Sequence, residues 1–138
     1  MSGFVVDASC VVAWLLEDES SAEADEYFRR IIAGENAWAP VLLRYEVANV
    51  LSMAYLKRER ISQDDLRKGL QEFNRIPIQH DPECSANVTG ITSSIAITRK
   101  LSVYDASYLE LAGRKLIPLA TLDTGMREAA KALGIEVI

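Results

Sequence analysis

Four acidic residues stand at positions from which their carboxylates could meet: Asp7, Glu46, Asp105 and Asp123. Desolvating an unpaired carboxylate costs several kcal/mol, so acids placed near a core are normally paired or bound to metal. Oxygen-only ligation suits hard cations such as Mg²⁺ or Mn²⁺. Divalent cations held by such a cluster can activate water and orient a phosphodiester, so the pattern favours a metal-dependent nuclease.

Each acid also has a simpler explanation when it is taken alone. Asp7 and Asp123 each follow an apolar run and precede a predicted helix, where either could be an N-cap. Asp105 lies three residues after Ser102, the spacing of a capping box. The single positions therefore leave both readings open, and only their combination favours a metal site.

Helical phase favours the metal site for the two acids within helices. At about 100° per residue, Asp105 shares the apolar face that carries Leu109, and Glu46 borders the stripe that contains Val47. Glu110 falls on the opposite side of its helix, which we expect to face solvent. All four acids are therefore predicted to converge at one edge of the molecule.

Two hydroxyl residues accompany the acids at the same short spacing. Ser9 and Thr121 lie two positions from Asp7 and Asp123, and they could donate hydrogen bonds to metal-bound water or to the scissile phosphate. Ribonucleases that transfer protons between paired histidines are disfavoured, because this sequence has one histidine, His80, in an expected loop. A serine nucleophile is equally disfavoured, since no base is evident.

The elements that must position these groups alternate between strands and helices, which predicts an α/β sandwich around a mostly parallel sheet. Ligands gather at the carboxyl ends of the strands in such sheets. The periodicity and end signals place strands at 4–6, 38–39, 76–78, 116–122 and 135–138, and helices at 8–16, 20–32, 42–60, 62–75, 81–101, 102–115 and 124–133.

The bulk composition fits one domain over residues 1–138, since 49% of the residues are hydrophobic and nothing resembles a linker. Cys10 and Cys84 show no metal-finger spacing and are expected to be buried and apolar. The apolar start is acidic rather than basic, which argues against a secretory signal, and no run is long enough for a membrane helix. We expect a cytoplasmic protein that is not in a membrane.

The net charge of −5 argues against phosphate binding over the whole surface. Lys57, Arg58 and Arg60, followed by Arg67 and Lys68, could form a local basic rim, although a solvated helix end explains them equally well.

Four segments together resemble the PIN domain, and within it the VapC-type toxins of bacterial and archaeal toxin–antitoxin pairs. They are V-V-D-A-S from Val5, Y-E-V-A-N-V-L from Tyr45, Y-D-A-S-Y-L-E-L-A from Tyr104 and A-T-L-D from Ala120. The resemblance covers essentially the whole sequence in the right order. Each segment alone is weak, but the combination is specific.

The resemblance implies a three-layer α/β/α sandwich with a five-stranded, mostly parallel sheet and helices on both faces. It implies an Mg²⁺- or Mn²⁺-dependent endoribonuclease in which Asp7, Glu46, Asp105 and Asp123 are the metal-binding catalytic acids. The family's pattern extends more loosely to Ser9, Thr121 and Asn49 as polar neighbours. It further implies an RNA substrate, a homodimer, and an antitoxin protein that covers the acidic cleft with a basic segment.

Competing interpretations remain. A response-regulator receiver has a similar size and an acidic Mg²⁺ pocket, but it needs an acid pair after the first strand, where Asp7 is alone. A haloacid-dehalogenase-like phosphatase needs a second Asp two residues later, where this sequence has Ser9. A PIN fold kept only as a binding or signalling module is compatible with all of these residues.

Overall fold

The sheet contains four parallel strands in the order β3-β2-β1-β4 in the computed structural model, which describes residues 3–138. They are β1 (Phe4–Val6), β2 (Ala37–Pro40), β3 (Ile78–Asp81) and β4 (Leu119–Ala120). Consecutive side chains of a strand point to opposite faces, and all three of β1 are buried, so both faces of the sheet are covered. The predicted parallel α/β architecture is confirmed.

The helices connect these strands in the order that the alternation predicted. They are α1 (Ala8–Leu15), α2 (Ala22–Ile32), α3 (Leu42–Leu56), α4 (Gln63–Arg75), α5 (Cys84–Asn87), α6 (Ser93–Arg99), α7 (Val103–Lys115) and α8 (Thr124–Ala132), with a 3₁₀ turn at Glu17–Glu19. The α7 helix packs against β1, β2 and β4, whereas α1 contacts α2, α3 and α4. Among the described residues, no helix is long and apolar enough to cross a membrane.

The prediction of five strands is wrong for this structure. The segment after Gly134 makes only an isolated parallel bridge, between Val137 and Leu119. Two hydrogen bonds support it, from the Leu119 N–H to the Glu136 carbonyl at 2.8 Å and from the Ile138 N–H to the Leu119 carbonyl at 3.1 Å. Because β4 is only two residues long, it offers too little backbone for a full fifth strand.

The predicted single helix over 81–101 is also wrong. The chain continues as strand β3 to Asp81, and the following helical segment is interrupted by a π-helical turn at Val88–Thr92. Gly90 within that turn has φ −123° and ψ −106°, which breaks the helical hydrogen-bond pattern and separates α5 from α6. His80 consequently lies on β3 and not in a loop.

Two smaller expectations need correction. Ser21, not Ser20, caps α2 by accepting a hydrogen bond from the Ala24 N–H. Glu110 is buried rather than solvated, because Arg114 donates to its carboxylate at 2.6 Å from one turn further along α7. The expectation for both cysteines is confirmed, since Cys10 and Cys84 are buried and free.

Candidate active site

Asp7 lies at the carboxyl end of the central strand β1, where both of its carboxylate oxygens accept hydrogen bonds. The parallel register pairs Val6 with Ala120 and so brings Thr121 beside Asp7. The Thr121 hydroxyl donates to Oδ2, and the Ser9 hydroxyl donates to Oδ1 at 2.5 Å. The Cys10 N–H also donates to Oδ1 at 3.4 Å, so Asp7 caps α1 as well. Its side chain is thereby fixed in one orientation.

The same two hydroxyls connect the ends of β1 and β4. Ser9 Oγ accepts from the Leu122 N–H at 3.0 Å, and Thr121 Oγ1 accepts from the Asp123 N–H at 3.1 Å. Asp123 Oδ1 in turn accepts from the Met126 N–H at 2.9 Å and caps α8. The capping explanations for Asp7 and Asp123 are therefore confirmed, and both residues also lie at the edge where ligands gather.

Glu46 is fixed by a contact that the sequence pattern did not reveal. The hydroxyl of Tyr108 donates to Glu46 Oε1 at 2.5 Å and so joins α7 to α3. Tyr108 is 1% exposed, which leaves its ring little freedom to move. Nothing in the sequence pattern indicates that the hydroxyl of Tyr108 reaches an acid 62 positions away.

Asp105 lies in the first turn of α7, three residues after Ser102, where a capping box would place its acid. Its backbone N–H donates to Ser102 Oγ at 3.0 Å, which confirms that Ser102 caps the helix. Within residues 3–138 the Asp105 carboxylate does not return a bond to Ser102, in contrast to the complete box formed by Ser62 and Asp65. The partly buried Asp105 carboxylate is therefore available for other contacts.

Burial and neighbouring acids shift the pKa values of three of these carboxyl groups. Burial raises the pKa of Asp7 despite the hydrogen bonds from its hydroxyl neighbours, which lower it. Burial also raises the pKa of Glu46, and the charges of Asp105 and Asp7 add to that rise against the lowering effect of Tyr108. The pKa of Asp105 is raised by burial and then by the charge of Asp123. The charges of Asp105 and Asp7 thus act on Glu46, and the charge of Asp123 acts on Asp105.

Comparison with known proteins decides the family. The PIN domain family model matches residues 4–132. The chain belongs to the PIN domain family. A VapC ribonuclease of Mycobacterium bovis and ribonuclease VapC9 of Mycobacterium tuberculosis are each 33% identical to this PIN domain over 93% of its length and 91% of theirs. Ribonuclease VapC3 of Pyrobaculum aerophilum is 30% identical, over 94% of this chain and 95% of its own.

Two solved structures share the fold of this PIN domain. PAE2754 from Pyrobaculum aerophilum superposes with a TM-score of 0.64 at 24% identity, covering 92% of this chain and 84% of the other. FitAcB from Neisseria gonorrhoeae superposes with a TM-score of 0.67 at 14% identity, covering 98% and 96%. At these identities the likeness concerns the fold alone.

The acids of the PIN domain do not form a finished metal cage. Within residues 3–138, no three Asp, Glu, His or Cys side chains lie close enough together to hold an ion as they stand. Their chemistry nevertheless fits a hard divalent cation, because all the donors are carboxylate oxygens. No Lys or Arg of the described chain forms an ion pair with any of the four acids. No basic side chain of the described residues therefore neutralises their charge.

The structure gives less support to the other predicted contributors, Asn49 and the basic rim. Asn49 is exposed, and its side chain makes no hydrogen bond to another described residue. Three of the residues predicted as a basic rim are already paired with acids: Arg60 with Asp18 at 2.7 Å, and Arg67 and Lys68 with Asp64. The solvated-helix explanation therefore accounts for most of the rim of this PIN domain.

Proposed function

We propose that this PIN domain is a divalent-metal-dependent endoribonuclease and the toxin of a toxin–antitoxin pair. The similarity to proteins named VapC ribonucleases carries the proposal, since it extends over more than 90% of both chains. The acidic edge formed by Asp7, Glu46, Asp105 and Asp123 supports it, because these side chains offer the oxygen ligands that phosphodiester hydrolysis by metal ions requires. We accordingly propose the cytoplasm as its location.

The four acids would hold Mg²⁺ or Mn²⁺, which when bound activates water and stabilises charge on the phosphate oxygens. The residues around the acids set their orientation. Ser9 and Thr121 fix both oxygens of Asp7, and Tyr108 fixes one oxygen of Glu46. Hydrogen bonds of this kind orient metal ligands and account for much of a metal site's affinity. Each of these hydrogen bonds also lowers the carboxyl pKa that burial raises, and so helps keep the carboxylate ionised.

The lack of a basic partner for these acids among the described residues also supports an antitoxin partner. Three of the four acids have raised pKa values, and none of the four pairs with a cationic side chain of the described chain. A basic segment of another protein would supply that missing charge in the absence of metal and would block the RNA. We therefore propose a cognate antitoxin whose cationic segment covers the acidic edge, and a homodimer as the assembly that it binds.

RNA cleavage by antitoxin-free protein tests the proposal directly. We expect cutting of total RNA with Mg²⁺ or Mn²⁺ and none with excess EDTA. Asp7→Asn and Asp105→Asn should each abolish it, whereas Asp25→Asn, an exposed acid on α2, should not. A folded wild-type protein that cuts nothing with either metal would contradict the proposal and favour a PIN fold used only for binding. The receiver-like alternative is excluded by the family match.

A further inference from the structure

A cavity of about 400 Å³, whose lining residues include none of the four acids, has no part in the function argued so far. It lies between the start of α3, the end of β3 and the start of α7. Its walls are mainly apolar and include Pro40, Val88 and Val103, with Tyr45 and Tyr104 among its lining residues. A cavity of this volume is within the range that small ligands occupy in proteins.

The two tyrosine side chains that line the cavity are largely exposed to solvent. Tyr45 is 72% exposed and Tyr104 is 61% exposed. Neither hydroxyl forms a hydrogen bond with another residue in the described part of the chain. Each ring therefore offers a flat apolar face and an unused polar group, a combination that is enriched at binding surfaces.

Both tyrosines directly precede a proposed catalytic acid. Tyr45 is followed by Glu46 on α3, and Tyr104 is followed by Asp105 on α7. Neighbouring residues of a helix are about 100° apart around the axis and about 1.5 Å apart along it. Both helices therefore present an acid on one side and a tyrosine on the adjacent side. The Tyr108–Glu46 hydrogen bond joins the two helices, so each tyrosine keeps a fixed position relative to the acid that follows it in the sequence.

Charge in the cavity wall is already neutralised. The buried carboxylate of Asp81 lines the cavity, but it is paired with Arg114 at 2.9 Å and Lys115 at 3.5 Å. The cavity is therefore suited to an uncharged, flat group rather than to a phosphate or a cation. The negative charge of this surface is concentrated at the acids.

We infer that this cavity receives an unpaired nucleobase of the RNA strand, next to the phosphate bound at the acids. The inference rests on the proposed ribonuclease function and adds a specificity site to it. Proteins recognise single-stranded RNA by stacking splayed bases on aromatic rings and by hydrogen-bonding their edges, which is what Tyr45 and Tyr104 offer. A second copy of the chain is the competing occupant, and the test below distinguishes it from a base.

The test compares cleavage and binding of a randomised single-stranded RNA pool by antitoxin-free protein, with the fragment ends sequenced. Wild type should favour particular bases at one position beside the cut bond. Tyr45→Ala and Tyr104→Ala should reduce cutting at the favoured sites by about 5- to 100-fold, the effect of losing one base–aromatic stack. Tyr45→Phe should recover most of it. Tyr55→Ala is the matched control, since it lies on the same helix about 15 Å beyond Tyr45.

Binding of the same pool to Asp7→Asn protein separates this inference from the proposed function. If wild type does not cut but the tyrosine substitutions still weaken binding, the ribonuclease proposal fails and the base cavity stands. If wild type cuts and both alanine variants keep its base preference and affinity, the cavity does not bind a base. An unchanged preference together with loss of a dimer, measured by light scattering, would assign the cavity to a second copy and overturn the inference.

Discussion

Replacing Tyr108 with Phe tests whether the hydroxyl that fixes Glu46 matters for cleavage. The ring of Tyr108 is 1% exposed, and Phe fills the same space, so the change removes only the hydrogen bond to Glu46. Hydrogen bonds to charged groups contribute about 1.5–3 kcal/mol. Because Glu46 is only partly buried, water replaces some of that bond, and we expect a loss of about 1–2 kcal/mol.

The loss translates into a measurable change in melting temperature. Unfolding entropy is about 2.1 cal/mol/K per residue, which for 138 residues is roughly 0.29 kcal/mol/K. The Tm of Tyr108→Phe should therefore fall by about 3–7 °C in metal-free buffer. Removing a group that orients a metal ligand typically costs about 10- to 100-fold in metal affinity or activity. Initial rates of RNA cleavage across a Mg²⁺ titration should fall by that factor.

Tyr27→Phe is a control of the same chemistry at a distant position. Tyr27 is 4% exposed, and its hydroxyl donates to the main-chain oxygen of Ile138 at 2.5 Å. Removing this bond should lower stability by about 1 kcal/mol without changing cleavage, because no proposed site residue takes part in it. The positioning argument would be refuted if Tyr108→Phe cleaved RNA at the wild-type rate with the wild-type Mg²⁺ requirement. It would also be refuted if Tyr27→Phe lost as much cleavage as Tyr108→Phe.

Three further perturbations test the electrostatics. Asp105→Asn should raise the Tm without metal, because the pKa of Asp105 is raised by burial and by a neighbouring acid; it should also reduce the rise in Tm on adding Mg²⁺, seen by calorimetry. Arg114→Met should lower stability by about 3–5 kcal/mol in urea titrations, because Asp81 and Glu110 would stay buried without their main cation, whereas Arg29→Met breaks only an exposed pair and should change little. Burial raises the pKa of Asp81, but the hydrogen bonds from Arg114 and the Glu83 N–H, together with the charges of Arg114 and Lys115, leave that pKa below its ordinary value. Wild type should therefore hold this stabilisation above about pH 4 and lose it as the pH falls through the folded pKa, whereas Arg114→Met should show a flatter acid dependence.

The local sequence was sufficient for features that depend on neighbouring residues. The caps at Asp7, Ser102 and Asp123 follow from a polar side chain standing just before a helix, and all three occur as expected. The alternation of strands and helices likewise predicted a parallel α/β sheet. The four site acids were identified from spacing and family resemblance, and their catalytic role stays a prediction.

The sequence was insufficient wherever a residue's partner is distant in the chain. Glu110 has a solvent-like helical phase, yet it is buried, and besides Arg114 on its own helix it accepts a hydrogen bond from Asn87, 23 positions away. The hydrophobic pattern also does not specify how many residues of β4 pair with the segment after Gly134. In the structure only Leu119 does so, in its bridge with Val137. Local propensity carries no information about either case.

By itself the sequence determined which groups are available for chemistry: acids for a hard cation, hydroxyls beside two of them, and no second histidine for proton transfer. The tertiary structure alone decided how those groups are held. Parallel pairing of β1 with β4 brings Thr121 to Asp7, and packing of α7 on the sheet brings Tyr108 to Glu46 of α3. Such bonds join residues 62 and 114 positions apart, so they exist only after the core has fixed the relative positions of the elements.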